Sequence, residues 1–444
     1  MEHVDTLIIG FGKAGKTLAG ALAKRHQKVV LVEKSSLMYG GTCINIACIP
    51  TKALEVKARK AHTSPQEHYA RSIAEKRELT ARLRQKNYDK VAGTGAQIID
   101  GTARFLDAGT VRVTLADGST RDFTADHFVV NTGAVSIRPP VAGLENSKRV
   151  YTSTEMMELE TLPEELVIVG AGFIALEFAS IYTNFGSHVT ILSRGNTFLP
   201  KADQEIAAAI RADLISRGVT ILDEAQLLGG SEAERLTLRV SVAGREQTLT
   251  ADGVLLAVGR KPATEGLGLE KAGVELDRRG AIVVNERLQS SNPKILAAGD
   301  VKGGEQFTYI SLDDFRILHS QLTGDGSRTT QNRELVPHTV FLDPPYASIG
   351  LTEEQAREQD LDYRVSRLPV AGIPKALVLE KPVGLMKIIL ENGTEKILGA
   401  HFYAPESHEI IHIIMVAMKA GLPYTALRNM IFAHPTMAEA LNDL

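Results

Sequence analysis

The chain has only two cysteines in 444 residues. That is too few to staple a fold of this length, which excludes a disulfide-built secreted scaffold. No apolar run approaches the ~20 residues that a membrane span needs. The nearest, Ile410 to Leu422, is interrupted by His412 and Lys419 and reads as a buried or interface helix. Neither sign of charge dominates: 50 Lys and Arg face 53 Asp and Glu, for a net charge of −3. Nothing there points to nucleic acid or an anionic membrane as partner. The N-terminus, Met1 to Asp5, runs straight into a strand-like segment with no leader pattern, so the expected location is cytoplasmic. No stretch is of low complexity. What remains is an ordinary globular composition, 44% hydrophobic and 23% charged. At ~100–200 residues per domain, the length predicts two to four domains.

Two glycine turns organise the first half. Thr6 to Ile9 reads as a buried strand, Lys16 to Arg25 as a helix, and Lys28 to Val32 as a second strand closed by Glu33. Between strand and helix lie Gly10, Gly12 and Gly15. The first allows the tight turn, the second lets backbone approach a pyrophosphate, and the third lets helix pack on strand. An acid ~20 residues on, here Glu33, accepts ribose hydroxyls. The pattern recurs at Leu166 to Val169, with Gly170, Gly172 and Ala175 in the turn, a helix through Tyr182 and a strand from His188 to Leu192. This second strand ends at Ser193 and Arg194 rather than at an acid. A missing acid and an added cation favour NADPH over NADH, with a solvated loop arginine as the plain alternative.

The cysteines fall in the string Gly40-Gly41-Thr42-Cys43-Ile44-Asn45-Ile46-Ala47-Cys48-Ile49-Pro50-Thr51-Lys52. Their i, i+5 spacing exceeds the i, i+4 neighbour distance of a regular helix, so a distorted first turn is expected to bring the sulfurs together. A helix N-terminus and a cation such as Lys52 favour the thiolate. Two structural thiols, or half of a zinc site lacking partners, are the alternatives. This string resembles the redox motif of the FAD-dependent pyridine nucleotide-disulfide oxidoreductases, the family of glutathione reductase, dihydrolipoyl dehydrogenase and mercuric reductase. Ala47 departs from the family's usual Gly.

The resemblance implies two doubly wound α/β nucleotide-binding domains and a C-terminal α+β dimerisation domain. The expected segments are 1–145 and 263–333 for FAD, 146–262 for NAD(P), and 334–444 for the interface. It implies that Cys43 meets the substrate and Cys48 is the thiolate beside the flavin. Lys52 and Glu177 would pair at the flavin's edge. Gly41, Thr42, Ala103, Thr132, Gly133, Gly259, Arg260, Gly299 and Asp300 would join the first glycine turn around FAD. Asp300 would hold the ribityl chain. Phe173, Ile174, Ser193 and Arg194 would join the second turn around the nicotinamide nucleotide; Phe173 stands where relatives often carry a lid tyrosine. His434 would be the acid–base of thiol exchange, oriented by Glu439 and lent by the partner subunit of a homodimer. His408 and His412 have the spacing of a metal pair, but no third ligand is evident, and with His401 they read as a polar helix edge.

Within the family, Phe11 to Thr17, Met38 to Cys43 and Phe307 to Ser311 resemble the bacterial branch that responds to reactive chlorine and is implicated in copper(II) reduction. The chain has no C-terminal cysteine pair of the mercuric reductase kind. After Asp300 it carries Gln306 to Asp314 in place of the family's Leu-Ala-His, and Pro344-Pro345 replaces the common Pro-Glu. The expected activity is therefore electron transfer from NAD(P)H through FAD and the cysteine pair to an oxidant, disulfide or metal ion, in defence against oxidative stress. An enzyme like dihydrolipoyl dehydrogenase, or like mercuric or glutathione reductase, is the alternative. A flavin redox sensor is the reading from another class.

Overall fold

The computed structural model describes residues 1–61 and 63–444. The chain forms two compact units. The first comprises Met1–Ala53, Ile73–Ile137 and Gly259–Arg333, and the second Leu54–Ser72, Arg138–Val258 and Glu334–Leu444.

The first unit is built on a seven-stranded sheet. Gln97–Asp100, Val29–Glu33, Glu2–Ile9 and Thr120–Val130 lie side by side and parallel. The long Thr120–Val130 strand is shared: its start pairs antiparallel with Thr110–Thr114, and its last residues pair parallel with Ile295–Ala297. Alternation along the strands sends side chains to two cores. Leu7, Ile9, Val30, Val32, Phe128 and Val130 enter one. Ile8, Val29, Leu31, Val129 and Leu296 enter the other, against Leu18, Leu22, Ile317 and Leu318 of the helices Lys13–Ala23 and Thr308–Thr323. These strands are apolar at consecutive positions because both faces are covered. The first helix begins three residues earlier than expected and ends at Ala23.

The second unit repeats the turn geometry on a five-stranded parallel sheet, in the order Thr220–Leu222, His188–Leu192, Glu165–Val169, Gly253–Leu256, Val150–Tyr151. The repeat holds at the level of single bonds. The Gly10 N–H donates to the Val32 carbonyl at 2.8 Å, and the Gly170 N–H donates to the Leu192 carbonyl at 3.0 Å. The same unit carries a five-stranded antiparallel sheet from His338 to Tyr403, packed on the helix Ser407–Lys419. That helix is the apolar run met in the sequence, shifted three residues toward the N-terminus. Ile410, Ile411 and Ile414 are buried, whereas His412 and Val416 are exposed. Among the described residues, no helix is long and apolar enough to cross a membrane.

Candidate active site

In the first unit the glycine turn is packed too tightly for side chains. Gly10 has φ +106°, and a Cβ there would lie 2.4 Å from the Asn131 carbonyl oxygen. A Cβ on Gly12 would meet Asn131 Oδ1 at 2.5 Å, and one on Gly15 would meet the Gly10 carbonyl at 2.5 Å. Gly41, at φ +78°, passes so close that its Cβ would sit 2.7 Å from Gly12 Cα. Asn131 clamps this point: Oδ1 accepts the Gly15 N–H at 2.9 Å, and Nδ2 donates to the Ala298 carbonyl at 2.6 Å. Ser311 Oγ accepts the Ala14 N–H at 3.2 Å. Glu33 is buried and accepts the N–H groups of Phe11 at 2.9 Å and Ser35 at 3.2 Å. Burial raises its pKa and those N–H groups pull it back.

The flavin-side residues converge from separate stretches. The Thr132 hydroxyl donates to the Ala263 carbonyl at 2.8 Å, and the Gly133 carbonyl accepts the Ala263 N–H at 2.9 Å. Gly259 has φ +120° and its carbonyl accepts the Ile137 N–H. Arg260 donates to the Ala134 carbonyl; burial lowers its pKa, and the charges of Asp300 and Cys48 offset part of that. Burial raises the pKa of the Asp300 carboxyl, against the nearby cations Arg260 and Lys302. Gly299, at φ +74°, is fixed by its N–H donating to Asp314 Oδ2 at 2.8 Å. The Ala103 side chain is buried in the core, which leaves only its backbone for a ligand. The N-cap of the Lys13–Ala23 helix is Gly12, which has no side chain; Ser311 and Asn131 take the Ala14 and Gly15 N–H groups. The positive end of a helix, glycines that admit no Cβ and a desolvated carboxyl fit the pyrophosphate and ribityl chain of FAD.

The two cysteines are free thiols. The expected distorted turn is instead a break. Cys43 lies on the single-turn helix Thr42–Asn45, and Cys48 opens the helix Cys48–Ala58, with Ile46 and Ala47 between. A chain that turns at this point satisfies the i, i+5 spacing without straining a helix. Ala47 keeps a negative φ, so a side chain costs nothing where the family has Gly. Lys52 sits one turn along the second helix from Cys48.

The thiols hydrogen-bond each other. That bond, burial and the charge of Cys48 push the Cys43 thiol well above the ordinary range, while Thr308 and Lys16 pull it down. The charge of Cys48 therefore opposes ionisation of Cys43. The Thr308 hydroxyl lies 3.5 Å from Cys48 Sγ, at the start of the Thr308–Thr323 helix, where partial positive charge favours a thiolate. Tyr309, stacked on Phe307 with ring centroids 5.0 Å apart, also faces the charge of Cys48. The cation coupled to Cys43 is Lys16, on the first glycine-turn helix.

In the second unit, Gly170 has φ +113° and a Cβ there would meet the Ala257 carbonyl at 2.5 Å, whereas a Cβ on Gly172 would meet nothing within 4 Å. No side chain caps the Phe173–Phe185 helix, whose first residues include Ile174 and the buried Ala175. Phe173 is 37% exposed. Glu177 Oε1 accepts the Phe341 N–H at 3.0 Å. Ser193 is buried with its hydroxyl directed to the Gly195 carbonyl, and Arg194 is exposed. His434 Nδ1 donates to Glu439 Oε2 at 2.9 Å, and the imidazole is 71% exposed. His401 is buried between the Tyr346 hydroxyl and the Leu351 carbonyl, apart from the exposed His412.

Sequence reasoning passed over Lys16, Thr308, Asn131, Ser311 and Asp314. Each stands within or beside a motif that drew attention for its glycines, cysteines or family departures. Only packing shows which neighbour each side chain reaches.

This chain belongs to the pyridine nucleotide-disulphide oxidoreductase family, whose pattern matches residues 4–314, with the family's dimerisation domain matching residues 336–444. It is an FAD-binding oxidoreductase that uses NAD(P)H. It is 45% identical to the probable pyridine nucleotide-disulfide oxidoreductase RclA of Escherichia coli (strain K12), over 100% of this chain and 99% of that one. It is 33% identical to a mercuric reductase of Staphylococcus aureus, over 98% of this chain and 81% of that one. Among solved structures, the Cu(II) complex of the HOCl-induced flavoprotein disulfide reductase RclA from Escherichia coli superposes with a TM-score of 0.94 at 44% identity, covering 100% of this chain and 99% of that one.

Proposed function

We propose that this enzyme passes electrons from NAD(P)H, through FAD and the Cys43–Cys48 pair, to copper(II) or a comparable oxidant formed under reactive-chlorine stress. The observation that carries this reading is the asymmetry of the dithiol. Cys48 is stabilised as a thiolate by Thr308 and Arg260, and Cys43 is held protonated beside a cation. FAD, when bound, supplies the relay that takes a hydride from NAD(P)H and delivers two electrons to the disulfide. The chain's residues do the rest. Cys48 receives negative charge on the flavin side. Cys43 is the thiol that meets the acceptor. Reoxidation of the Cys48 thiolate and Cys43 thiol to the disulfide releases two electrons and one proton, and the two electrons reduce two copper(II) ions to copper(I). His434, held by Glu439, exchanges a proton with Cys43 in the partner subunit of a homodimer.

Residues 1–145 and 263–333 are proposed to hold FAD, 146–262 the nicotinamide nucleotide, and 334–444 the subunit interface. Lys52 and Glu177 are proposed to pair at the flavin's edge. Ser193 and Arg194 favour NADPH, through the 2′-phosphate. A cytoplasmic location suits a dithiol that must stay reducible.

The test is initial-rate oxidation of NADPH and NADH by the purified protein with copper(II), oxidised lipoamide and glutathione disulfide as acceptors. Copper-dependent turnover should dominate. Strong lipoamide turnover with NADH would overturn the reading in favour of a dihydrolipoyl dehydrogenase.

A further inference from the structure

The helix that carries Cys43 cannot hold itself in place. Thr42–Asn45 is a single turn of four residues. Its backbone bonds run from the Asn45 N–H to the Gly41 carbonyl at 3.3 Å and from the Ile46 N–H to the Thr42 carbonyl at 2.9 Å. An isolated turn costs more conformational freedom than such bonds return. The position of the Cys43 sulfur is therefore set from outside the turn.

The three carbonyls that precede the turn are each taken by a side chain. Asn45 Nδ2 donates to the Tyr39 carbonyl at 3.0 Å and to the Gly41 carbonyl at 2.9 Å, and Lys16 Nζ donates to the Gly40 carbonyl at 3.2 Å. Both donors are gripped in turn by the Pro65–Ala92 helix. Arg84 Nε donates to Asn45 Oδ1 at 2.8 Å, and Asn87 Oδ1 accepts from Lys16 at 2.6 Å. The Tyr88 ring packs on the Tyr39 ring with centroids 4.9 Å apart. Positions 84, 87 and 88 share one helix face. They are half-buried, whereas Arg82, Gln85, Lys86 and Asp89 are exposed. That face carries polar groups because it covers a row of backbone carbonyls.

The Arg84 contact fixes a direction as well as a distance. An amide has an acceptor end and a donor end, and a guanidinium only donates. With Arg84 against it, Asn45 must present Oδ1 to the arginine and its NH2 group to the two carbonyls. Asn45 is buried, so a reversed amide would set acceptor against acceptor and donor against donor with no water to relieve them.

We propose that Arg84 is a positioning residue of the redox pair: by locking the Asn45 amide it holds the Cys43 turn against Cys48 and so sets how readily the disulfide closes. Cys48 opens a separate helix, Cys48–Ala58, so no common element keeps the two sulfurs together. A held turn raises the effective concentration of one thiol for the other, which favours the disulfide and lowers the reduction potential of the pair. A freed turn does the reverse. The inference rests on the reading that Cys43 and Cys48 cycle between dithiol and disulfide.

The experiment equilibrates the FAD-loaded enzyme in graded mixtures of oxidised and reduced dithiothreitol at pH 7. As the Sγ–Sγ bond of the pair forms, two electrons and two protons pass to the oxidised reagent, whose own disulfide opens. After an acid quench, free Cys43 and Cys48 are read by alkylation and peptide mass. In Arg84→Met the ratio of oxidised to reduced reagent at half-closure should rise about tenfold, which is about 30 mV in a two-electron couple. Asn45→Asp keeps the shape of the side chain and an acceptor for Arg84 but loses the two donors, and it should shift the same way by a similar factor. Where Arg84→Met does not retain FAD, Asn45→Asp carries the test. Arg84→Lys, which still donates, should stay close to wild type, and Arg82→Met, exposed on the same helix, should not move. A wild-type ratio in FAD-loaded Arg84→Met, or a shift toward easier closure, would overturn the inference and leave the proposed function standing. An equal shift in Arg82→Met would trace the effect to the charge of the helix and overturn it too. A wild-type pair that closes in none of the mixtures would overturn the dithiol cycle, and the role of Arg84 with it.

Discussion

A side chain's neighbours decide what it does here. Replacing Cys43 by Ser should leave FAD binding intact, because Cys43 is not among the residues proposed to hold the flavin, and should abolish turnover through the dithiol; flavin content and NADPH-dependent reduction of glutathione disulfide or lipoamide check this. Lys16, partly buried beside Asn87, bears on stability. Its folded pKa of about 8 lies below the ordinary lysine value of 10.5. The unfolded chain therefore binds more protons between those limits, so this residue's destabilising contribution is full below pH 8 and fades as pH rises to 10.5. Lys16→Met should raise thermal stability at pH 7 by up to about 3 kcal/mol, with no gain at pH 10.5. A Tm difference that does not depend on pH would contradict the buried charge. Arg194→Ala should raise the KM for NADPH several-fold and spare that for NADH, if the second strand's end reads the 2′-phosphate as proposed.

At the scale of elements, the Thr308–Thr323 helix does two tasks. Its start faces Cys48, and one turn further in, Ser311 and Asp314 hold the two glycine turns of the flavin side. Asp314 is fully buried and also meets Arg333 at 2.6 Å and Lys302 at 3.4 Å. Removing it takes from Lys302 the acid it meets at 3.4 Å, leaves Arg333 with Asp313 alone of its two carboxylates, and frees the Gly299 N–H. Asp314→Ala should cost about 3–5 kcal/mol and weaken FAD retention, measured by thermal denaturation and by flavin release. Such an element is invisible to pattern reading. The Gln306 to Asp314 stretch stands out in the sequence only as a departure from the family, since nothing local says that residue 314 reaches Gly299. The glycine turns were legible because their constraint is local: φ and the missing Cβ are properties of the residue itself. The helix break between Cys43 and Cys48 was half legible. The i, i+5 spacing rules out a regular helix pair, but not the choice between a bent turn and two helices.

At the scale of the molecule, the dimerisation domain and the exposed His434 raise the question of whether one chain suffices. Neither Cys43→Ser nor His434→Gln homodimers should turn over. After mixing and subunit exchange, one site of each mixed dimer regains both residues, so about a quarter of wild-type activity should return. No recovery in proven mixed dimers would place the acid–base within the same chain. The second unit has its own internal tie: Lys387, 1% exposed, meets Asp203 at 2.9 Å, Glu353 at 2.7 Å and Glu205 at 3.0 Å. The sequence alone determined the class of fold, the two glycine turns and the family, because each is written in short runs whose spacing is dictated by backbone geometry. Tertiary structure decided that Thr308 reaches the Cys48 sulfur, that the Asp314 carboxylate pins the Gly299 turn, and that Asn131 clamps the first turn. These depend on residues tens to hundreds of positions apart, and electrostatic and hydrogen-bond energies fall off with distance in space, which the order of residues along the chain does not record.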